Sequence, residues 1–207
     1  MIETTTVLLV RHADVENPRL MFYGRLPRFP LSELGNCQAE FLADRLAAEP
    51  ITIFYTSPML RARQTAAILA RRHPAVPIRR ARPLIEVRTG WMGALPEQLP
   101  PRINLYEPPH SSDDETIGDV WNRVAQFLNV VGRRHVGETI CCVSHGDPVV
   151  IAHAGARGLP LTLESIRGDF YPKKCSVTRL TIANGKSIAV AYQDVIGELA
   201  PELVAPH

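Results

Sequence analysis

Short β-branched, apolar runs alternate with amphipathic stretches through the first 72 residues, and few folds accommodate that order. Thr4-Thr5-Thr6-Val7-Leu8-Leu9-Val10 reads as a buried strand that stops abruptly at Arg11-His12. After a loop containing Asn17-Pro18 and Gly24, Ser32 is placed to cap a helix reaching about Ala48. Its Leu34, Cys37, Phe41, Leu42 and Leu46 recur at helical spacing. Ile51-Thr52-Ile53-Phe54-Tyr55-Thr56 reads as a second strand closed by Ser57-Pro58, and a second helix is expected from about Leu60 to Arg72. Strand, helix, strand, helix implies a parallel sheet. A chain of 207 residues can bury one large core, so a single α/β domain over residues 1–207 is expected. Its central sheet should be mostly parallel, with helices on both faces.

The middle of the chain breaks this rhythm. Residues 73–113 hold 8 of the 18 prolines, Pro100, Pro101 and Pro108 among them, and no long helical period survives there. Short strands are expected near Ile78 and Leu84, followed by a long excursion. It can be read as a surface loop or as a cover over an active site. Order resumes at Ser112-Asp113-Asp114-Glu115, an acidic run that suits a helix start. Ile117, Val120, Trp121, Val124, Phe127, Leu128 and Val131 then form the strongest amphipathic pattern in the chain, which assigns Trp121 to the core. Thr139 to Val143 reads as another buried strand, stopped by Ser144-His145-Gly146-Asp147-Pro148, with a helix following to about Ala154. Near the end, Ser176–Ile182 and Ser187–Tyr192 flank Asn184-Gly185, which signals a C-terminal β-hairpin.

Three strand-like runs therefore end in chemistry: Arg11-His12, Ser57-Pro58 leading to Arg61, and Ser144-His145-Gly146. In open parallel sheets ligands bind beyond the carboxyl ends of the strands. If these runs are neighbours, two His and two Arg converge. Guanidinium groups clamp a phosphoryl group, a neutral imidazole can attack phosphorus, and cationic neighbours hold that imidazole neutral. A second imidazole, if protonated, balances charge on the equatorial oxygens. The backbone N–H groups after Gly146 open a helix, whose N-terminus favours an anion.

These blocks resemble the histidine phosphatase superfamily, with its phosphoglycerate mutase-like fold. Leu8-Leu9-Val10-Arg11-His12-Ala13 is similar to the family's "RHG" signature, and Ser57-Pro58-Met59-Leu60-Arg61-Ala62-Arg63-Gln64-Thr65-Ala66 to its "SPLxRAxQTA" segment. Pro30 to Gly35, Leu84-Ile85-Glu86 with Gly90-Trp91-Met92-Gly93, and Val143-Ser144-His145-Gly146 match three further blocks in the family's order. The resemblance implies His12 as nucleophile, Arg11, Arg61 and His145 around the phosphoryl oxygens, and Glu86 as general acid and then base. Contacts to substrate are expected from Arg11, Asn17, Gly24, Arg61, Glu86 and His145 by the resemblance, from Tyr23 by its place in the loop 17–30, and from Gly146 by its place at a helix N-terminus. The resemblance also implies no metal and no cofactor.

Three positions depart from the family pattern: Ala13 for Gly, Met92 for Glu, and Asp114-Glu115-Thr116 for Gly-Glu-Ser. The expected activity is hydrolysis of a small anionic phosphate monoester, with specificity in residues 88–116 and in the loop 17–30, where Met21, Phe22 and Tyr23 line the pocket. Alternatives are a 2,3-bisphosphoglycerate-dependent mutase, a phosphohistidine protein phosphatase and a non-catalytic phosphate-binding module. Only 58 residues separate Glu86 from His145, whereas the mutases carry a longer insertion there. His73, His110, His135, His153 and His207 receive no catalytic role. Cys141 and Cys142 should face opposite sides of their strand, which disfavours a shared metal.

A net charge of +2 argues against a nucleic-acid binder held by electrostatics, and Lys173-Lys174 reads as a surface pair. No run has the length of a membrane span. Four scattered cysteines suit a reducing compartment, and Val7–Val10 is too short for a signal-peptide core, so a cytoplasmic location is expected. These features are compatible with a homodimer, which no residue pattern decides.

Overall fold

The apolar runs become strands because both of their faces are covered. The computed structural model describes residues 3–99, 104–107, 109–168 and 170–204; Pro100, Pro101, Pro108 and His207 lie outside them. The elements are β1 (Thr5–Arg11), α1 (Glu33–Leu46), β2 (Ile51–Thr56), α2 (Leu60–Ala70), β3 (Ile78–Arg80), α3 (Ile117–Arg134), β4 (Thr139–Ser144), α4 (Gly146–Ala156), α5 (Leu163–Arg167), β5 (Val177–Ala183), β6 (Lys186–Gln193) and α6 (Val195–Leu199). The sheet order is β3-β2-β4-β1-β5-β6. The β3-β2, β2-β4 and β4-β1 pairings are parallel, and the two pairings of the C-terminal hairpin, β1-β5 and β5-β6, are antiparallel. Asn184 and Gly185, both at positive φ, turn that hairpin.

Period-two alternation splits the core into two layers. Val7, Leu9, Ile140 and Cys142 join Val120, Val124, Leu128 and Val150 on the α3–α4 side. Leu8, Val10, Cys141 and Val143 join Ala39, Leu42, Ala66 and Leu69 on the α1–α2 side. Cys141 and Cys142 thus face opposite layers. Trp121 packs partly buried against the first layer, its ring lying against Gly155. Among the described residues no helix is long and apolar enough to cross a membrane.

Two local expectations are corrected. The segment around Leu84 is a turn of 3₁₀ helix (Arg82–Leu84) rather than a strand, because Pro83 has no N–H for a ladder. Leu84 is fully buried, and its carbonyl accepts a 2.7 Å bond from the Ser144 hydroxyl, which ties the segment to the end of β4. The acidic run before α3 is not its cap. Thr116 caps the helix: its hydroxyl accepts from the Asp119 N–H at 3.1 Å, and the Asp119 carboxylate accepts from the Thr116 N–H at 2.9 Å. The Asp114 carboxylate instead accepts from the N–H groups of Gly90, His110 and Ser111. Glu115 binds Arg25 and Arg123. These acids tie down described parts of the excursion, at Gly90 and at His110-Ser111.

Loss of the true cap should therefore cost more than loss of the apparent one. Thr116→Ala is expected to lower stability by about 1 kcal/mol, while Ser112→Ala, at an exposed position, should stay within about 0.5 kcal/mol of the parent. Urea midpoints of the two variants check this; equal losses would contradict the cap assignment.

Candidate active site

Because β2, β4 and β1 are parallel neighbours, their carboxyl ends open on one side. Two backbone bonds continue the ladder past the strands: the His12 N–H donates to the Ser144 carbonyl and the Ser57 N–H to the Val143 carbonyl, both at 2.9 Å. The chemistry-bearing residues thus follow from strand register rather than from loop placement.

His12 is 1% exposed. Its Nδ1 lies 2.7 Å from the Ala13 carbonyl, an acceptor only, so Nδ1 carries the proton and Nε2 the lone pair. Arg61 Nε donates to that Nε2 at 3.1 Å. Burial, reinforced by Arg61, Lys174, His145 and Arg11, pulls the imidazole well below its ordinary pKa, and the ring is neutral. Ala13 does not take a positive φ, so its methyl is accommodated where the family has Gly. Its N–H donates to the Thr65 hydroxyl at 3.2 Å, and that hydroxyl donates to the Arg61 carbonyl at 2.9 Å, locking the turn after β1 to α2.

Arg61 is as deeply buried as His12. Its Nη2 donates to the Gly24 carbonyl at 2.8 Å, and its guanidinium lies 4.6 Å from the centre of the Tyr23 ring. Gly24 sits at φ +41°, and a Cβ there would meet Met92 Cγ at 2.7 Å, so a larger residue would push the loop off Arg61. Met92, in place of the family's Glu, thus closes this loop from behind. Arg11 Nη1 donates to the Pro172 carbonyl at 2.6 Å, and its guanidinium lies against the Tyr171 ring at 5.1 Å.

The His145 ring stands 5.1 Å from that of His12, at 65° to it. Its Nε2 is 2.7 Å from the Ser57 hydroxyl, which also accepts from the Met59 N–H. That hydroxyl can donate to Nε2 or accept from it, and Nδ1 is buried and without a hydrogen-bond partner among the described residues. Burial and the surrounding arginines hold His145 neutral as well. The positive charge of the site thus comes from the arginines rather than from His145. Its Nδ1 is 3.9 Å from Glu86 Oε2. Glu86 Oε1 accepts from the Val87 N–H at 2.9 Å, and burial together with Asp147, opposed by Arg61, raises its pKa to about 7.

A cavity of about 350 Å³ adjoins these groups, lined by Arg11, Met21, Phe22, Tyr23, Gly24, Glu86, Val87, Leu105, Asp147, Arg167 and Tyr171. Of the residues singled out from sequence, the structure brings together Arg11, His12, Tyr23, Gly24, Arg61, Glu86, His145 and Gly146. Gly146 has no room for a side chain, since a Cβ would lie 2.1 Å from the Tyr171 hydroxyl. Asn17 stands apart: both polar atoms of its side chain bond the Met21 backbone, so it shapes the loop 17–21 rather than lining the cavity. Lys174 is not a free surface charge, for it pairs with Asp14 at 3.2 Å. His73, His110, His135 and His153 line no part of the cavity.

The sequence reading missed Asp147, Arg167, Tyr106 and Tyr171. The Asp147 carboxylate accepts from the Tyr106 hydroxyl at 2.6 Å, the Tyr171 hydroxyl at 2.7 Å and Arg167 Nη2 at 2.7 and 2.8 Å. An acid in the first turn of a helix reads as a dipole partner, and its donors come from the excursion (Tyr106) and from the stretch between Arg167 and Tyr171, distant in sequence from each other. Leu105 and Tyr106, from within the proline-rich excursion, are buried against this wall.

The profile of the histidine phosphatase superfamily (branch 1) matches residues 7–195. The chain belongs to that superfamily. It is 33% identical over 199 residues to an uncharacterised protein of Mycobacterium tuberculosis, covering 93% of this chain and 97% of the relative. It is 34% identical over 166 residues to phosphoserine phosphatase 1 of Hydrogenobacter thermophilus, covering 75% of this chain and 78% of the other. Among solved structures, YhfR of Bacillus stearothermophilus superposes with a TM-score of 0.79 at 27% identity, over 91% of this chain and 96% of that one. A phosphoserine phosphatase of Entamoeba histolytica has the same fold, with a TM-score of 0.75 at 22% identity, over 93% and 99% of the two chains. This superfamily and these neighbours make the chain a phosphatase- or mutase-type enzyme.

The histidine assignments have a direct check. In a long-range ¹H–¹⁵N spectrum, His12 should show protonated Nδ1 and bare Nε2, and neither His12 nor His145 should titrate between about pH 8 and about pH 6, across the ordinary histidine value of ~6.5. Titration of either ring near that value would contradict the electrostatics described here.

Proposed function

We propose that this enzyme hydrolyses small phosphate monoesters through a phosphohistidine on His12, with the chain acting as one catalytic domain whose segment 88–116 sets specificity. The observation that carries the reading is the His12 tautomer: Nδ1 is tied to the Ala13 carbonyl, so the lone pair is on Nε2, where it accepts from Arg61 Nε–H until a phosphoryl oxygen takes that N–H over. A nucleophile held neutral and oriented in advance needs no proton removed before it attacks.

In the first step Nε2 bonds to phosphorus and the ester P–O bond breaks. Glu86 passes its proton to the departing oxygen, and the alcohol leaves. In the second step the ionised Glu86 takes a proton from water, whose oxygen displaces His12 and releases inorganic phosphate. Glu86 ends protonated, as it began. Arg11, Arg61 and His145 surround the transferring group, and the two guanidinium groups take up charge that develops on its oxygens. A carboxyl group with a pKa of about 7 serves both steps near neutral pH. The likeness to phosphoserine phosphatase 1 of Hydrogenobacter thermophilus supports hydrolysis over phosphoryl return.

Rapid quench with a radiolabelled ester should trap an acid-labile, base-stable adduct on His12, and His12→Ala should abolish both adduct and turnover. Label on Ser57 or Ser144 would overturn the mechanism. Dialysis against EDTA should leave turnover intact.

The general acid must carry its proton in the first step. After allowance for the ionisation of the ester itself, kcat/KM for an alkyl phosphate should hold below about pH 7 and fall above it, following the Glu86 value. Glu86→Gln should remove that limb and slow turnover by about 10²–10⁴-fold, with a smaller loss in single-turnover phosphorylation from p-nitrophenyl phosphate, whose oxygen leaves without a proton. An unchanged pH limb in the variant would reassign the acid.

A further inference from the structure

Glu86 and Asp147 are two carboxyl groups on the wall of one cavity. The backbone brings them there together: the Ser144 hydroxyl donates to the Leu84 carbonyl at 2.7 Å, and the two acids follow close behind these residues in the chain. Neighbouring carboxyl groups out of water do not both ionise readily, and the one better served by donors takes the charge.

The donors are divided unequally. Asp147 Oδ1 accepts from Arg167 Nη2 and from the Tyr171 hydroxyl, both at 2.7 Å. Its Oδ2 accepts from the same Nη2 at 2.8 Å and from the Tyr106 hydroxyl at 2.6 Å. A guanidinium N–H only donates, and burial raises both phenols above the ordinary tyrosine value, so they keep their protons. A proton on either Asp147 oxygen would displace one of these bonds. Asp147, 2% exposed, therefore holds its negative charge.

Glu86 is served far less well. Among the described residues its carboxyl accepts from the Val87 N–H alone, at 2.9 Å, and the neutral His145 ring stands 3.9 Å away, beyond hydrogen-bonding distance. Arg61 and Arg11 favour its ionised form, while Arg25 and Arg123 donate to its backbone carbonyl at 2.7 and 3.3 Å. Burial and the Asp147 charge oppose them and prevail. Arg167 engages Asp147 through Nη2 alone, its Nη1 being buried without a partner among the described residues.

We propose that Asp147 is a positioning residue for proton transfer: held in its ionised form by Tyr106, Tyr171 and Arg167, it makes Glu86 the carboxyl that carries the proton, and Arg167 limits how tightly. This rests on the hydrolase reading above and deepens it, since it says why Glu86 rather than Asp147 protonates the leaving oxygen. The proton moves from Glu86 to that oxygen and is replaced from water; Asp147 neither gains nor loses one.

Two measurements on the full-length enzyme test it. In the unaltered protein, pH titration of the carboxyl ¹³C resonances should show Asp147 ionised from about pH 6 to about pH 9, and Glu86 losing its proton at about 7. A proton on Asp147 at about pH 6, or a Glu86 already ionised there, would overturn the inference. Variants then give the sign. Asp147→Asn removes a negative charge near Glu86 and should move the alkaline limb of kcat/KM for an alkyl phosphate down by about one pH unit; Arg167→Gln removes a positive charge and should move it up by a similar amount. A merely structural role would lower activity in both variants and leave the limb in place. Limbs unmoved, or moved in one direction, in variants shown by circular dichroism to fold would overturn the inference with the hydrolase reading intact. If neither variant folds, the carboxyl titration decides. An enzyme that hydrolyses no alkyl or aryl phosphate would overturn the hydrolase reading, and the use of this proton with it.

Discussion

A guanidinium group has been taken almost wholly out of water at Arg61, and much of the site is arranged around it. Burial of an ion costs several kcal/mol unless its hydrogens find partners. Here the Gly24 carbonyl, the His12 ring nitrogen and the Tyr23 π face supply them, none of which carries a negative charge. The cation is solvated yet not neutralised, and burial lowers its pKa below the ordinary arginine value. In the proposed reaction the missing counter-charge is the dianionic phosphoryl group of the substrate. Burial, and after it Arg61, lowers the His12 pKa, and Arg61 opposes the rise that burial and Asp147 impose on Glu86, so one buried cation bears on both groups.

The parts of this arrangement that follow from strand ends were legible in the sequence. Arg11-His12 and Ser144-His145 stand immediately after apolar runs whose period and length mark buried strands, and a parallel sheet brings such ends together. The Asn184-Gly185 hairpin and the Ser32 cap were equally local signals; Ser32 Oγ accepts from the Gly35 N–H at 2.9 Å. Errors arose where local chemistry had two outlets. Asp114 and Glu115 suit a helix start, but the Thr116–Asp119 box won that position, and the acids were free to bind backbone N–H groups and arginines of the excursion. Pro83 removed a ladder donor near Leu84, which no count of apolar residues could reveal.

The cavity wall was not legible, for a different reason. Asp147, Tyr106, Arg167 and Tyr171 come from the start of α4, the proline-rich excursion, α5 and the loop after it. Their association depends on tertiary placement alone. Asn17 illustrates the converse: its type and its place in the loop suited an anion contact, but a nearer partner, the Met21 backbone, occupies its amide.

The sheet order has a consequence for how the molecule is assembled. β4, at residues 139–144, lies between β1 and β2, which the ribosome delivers more than 80 residues earlier. Until it arrives, β1 and β2 lack the strand that joins them, and the backbone groups each turns to it are unpaired. Making that join demands contacts far apart in sequence, a slow kind of event in folding. Since His145 follows β4 directly, the nascent chain cannot assemble its paired histidines before the join is made. Formation of the sheet's centre and formation of the site are one event in the life of the polypeptide.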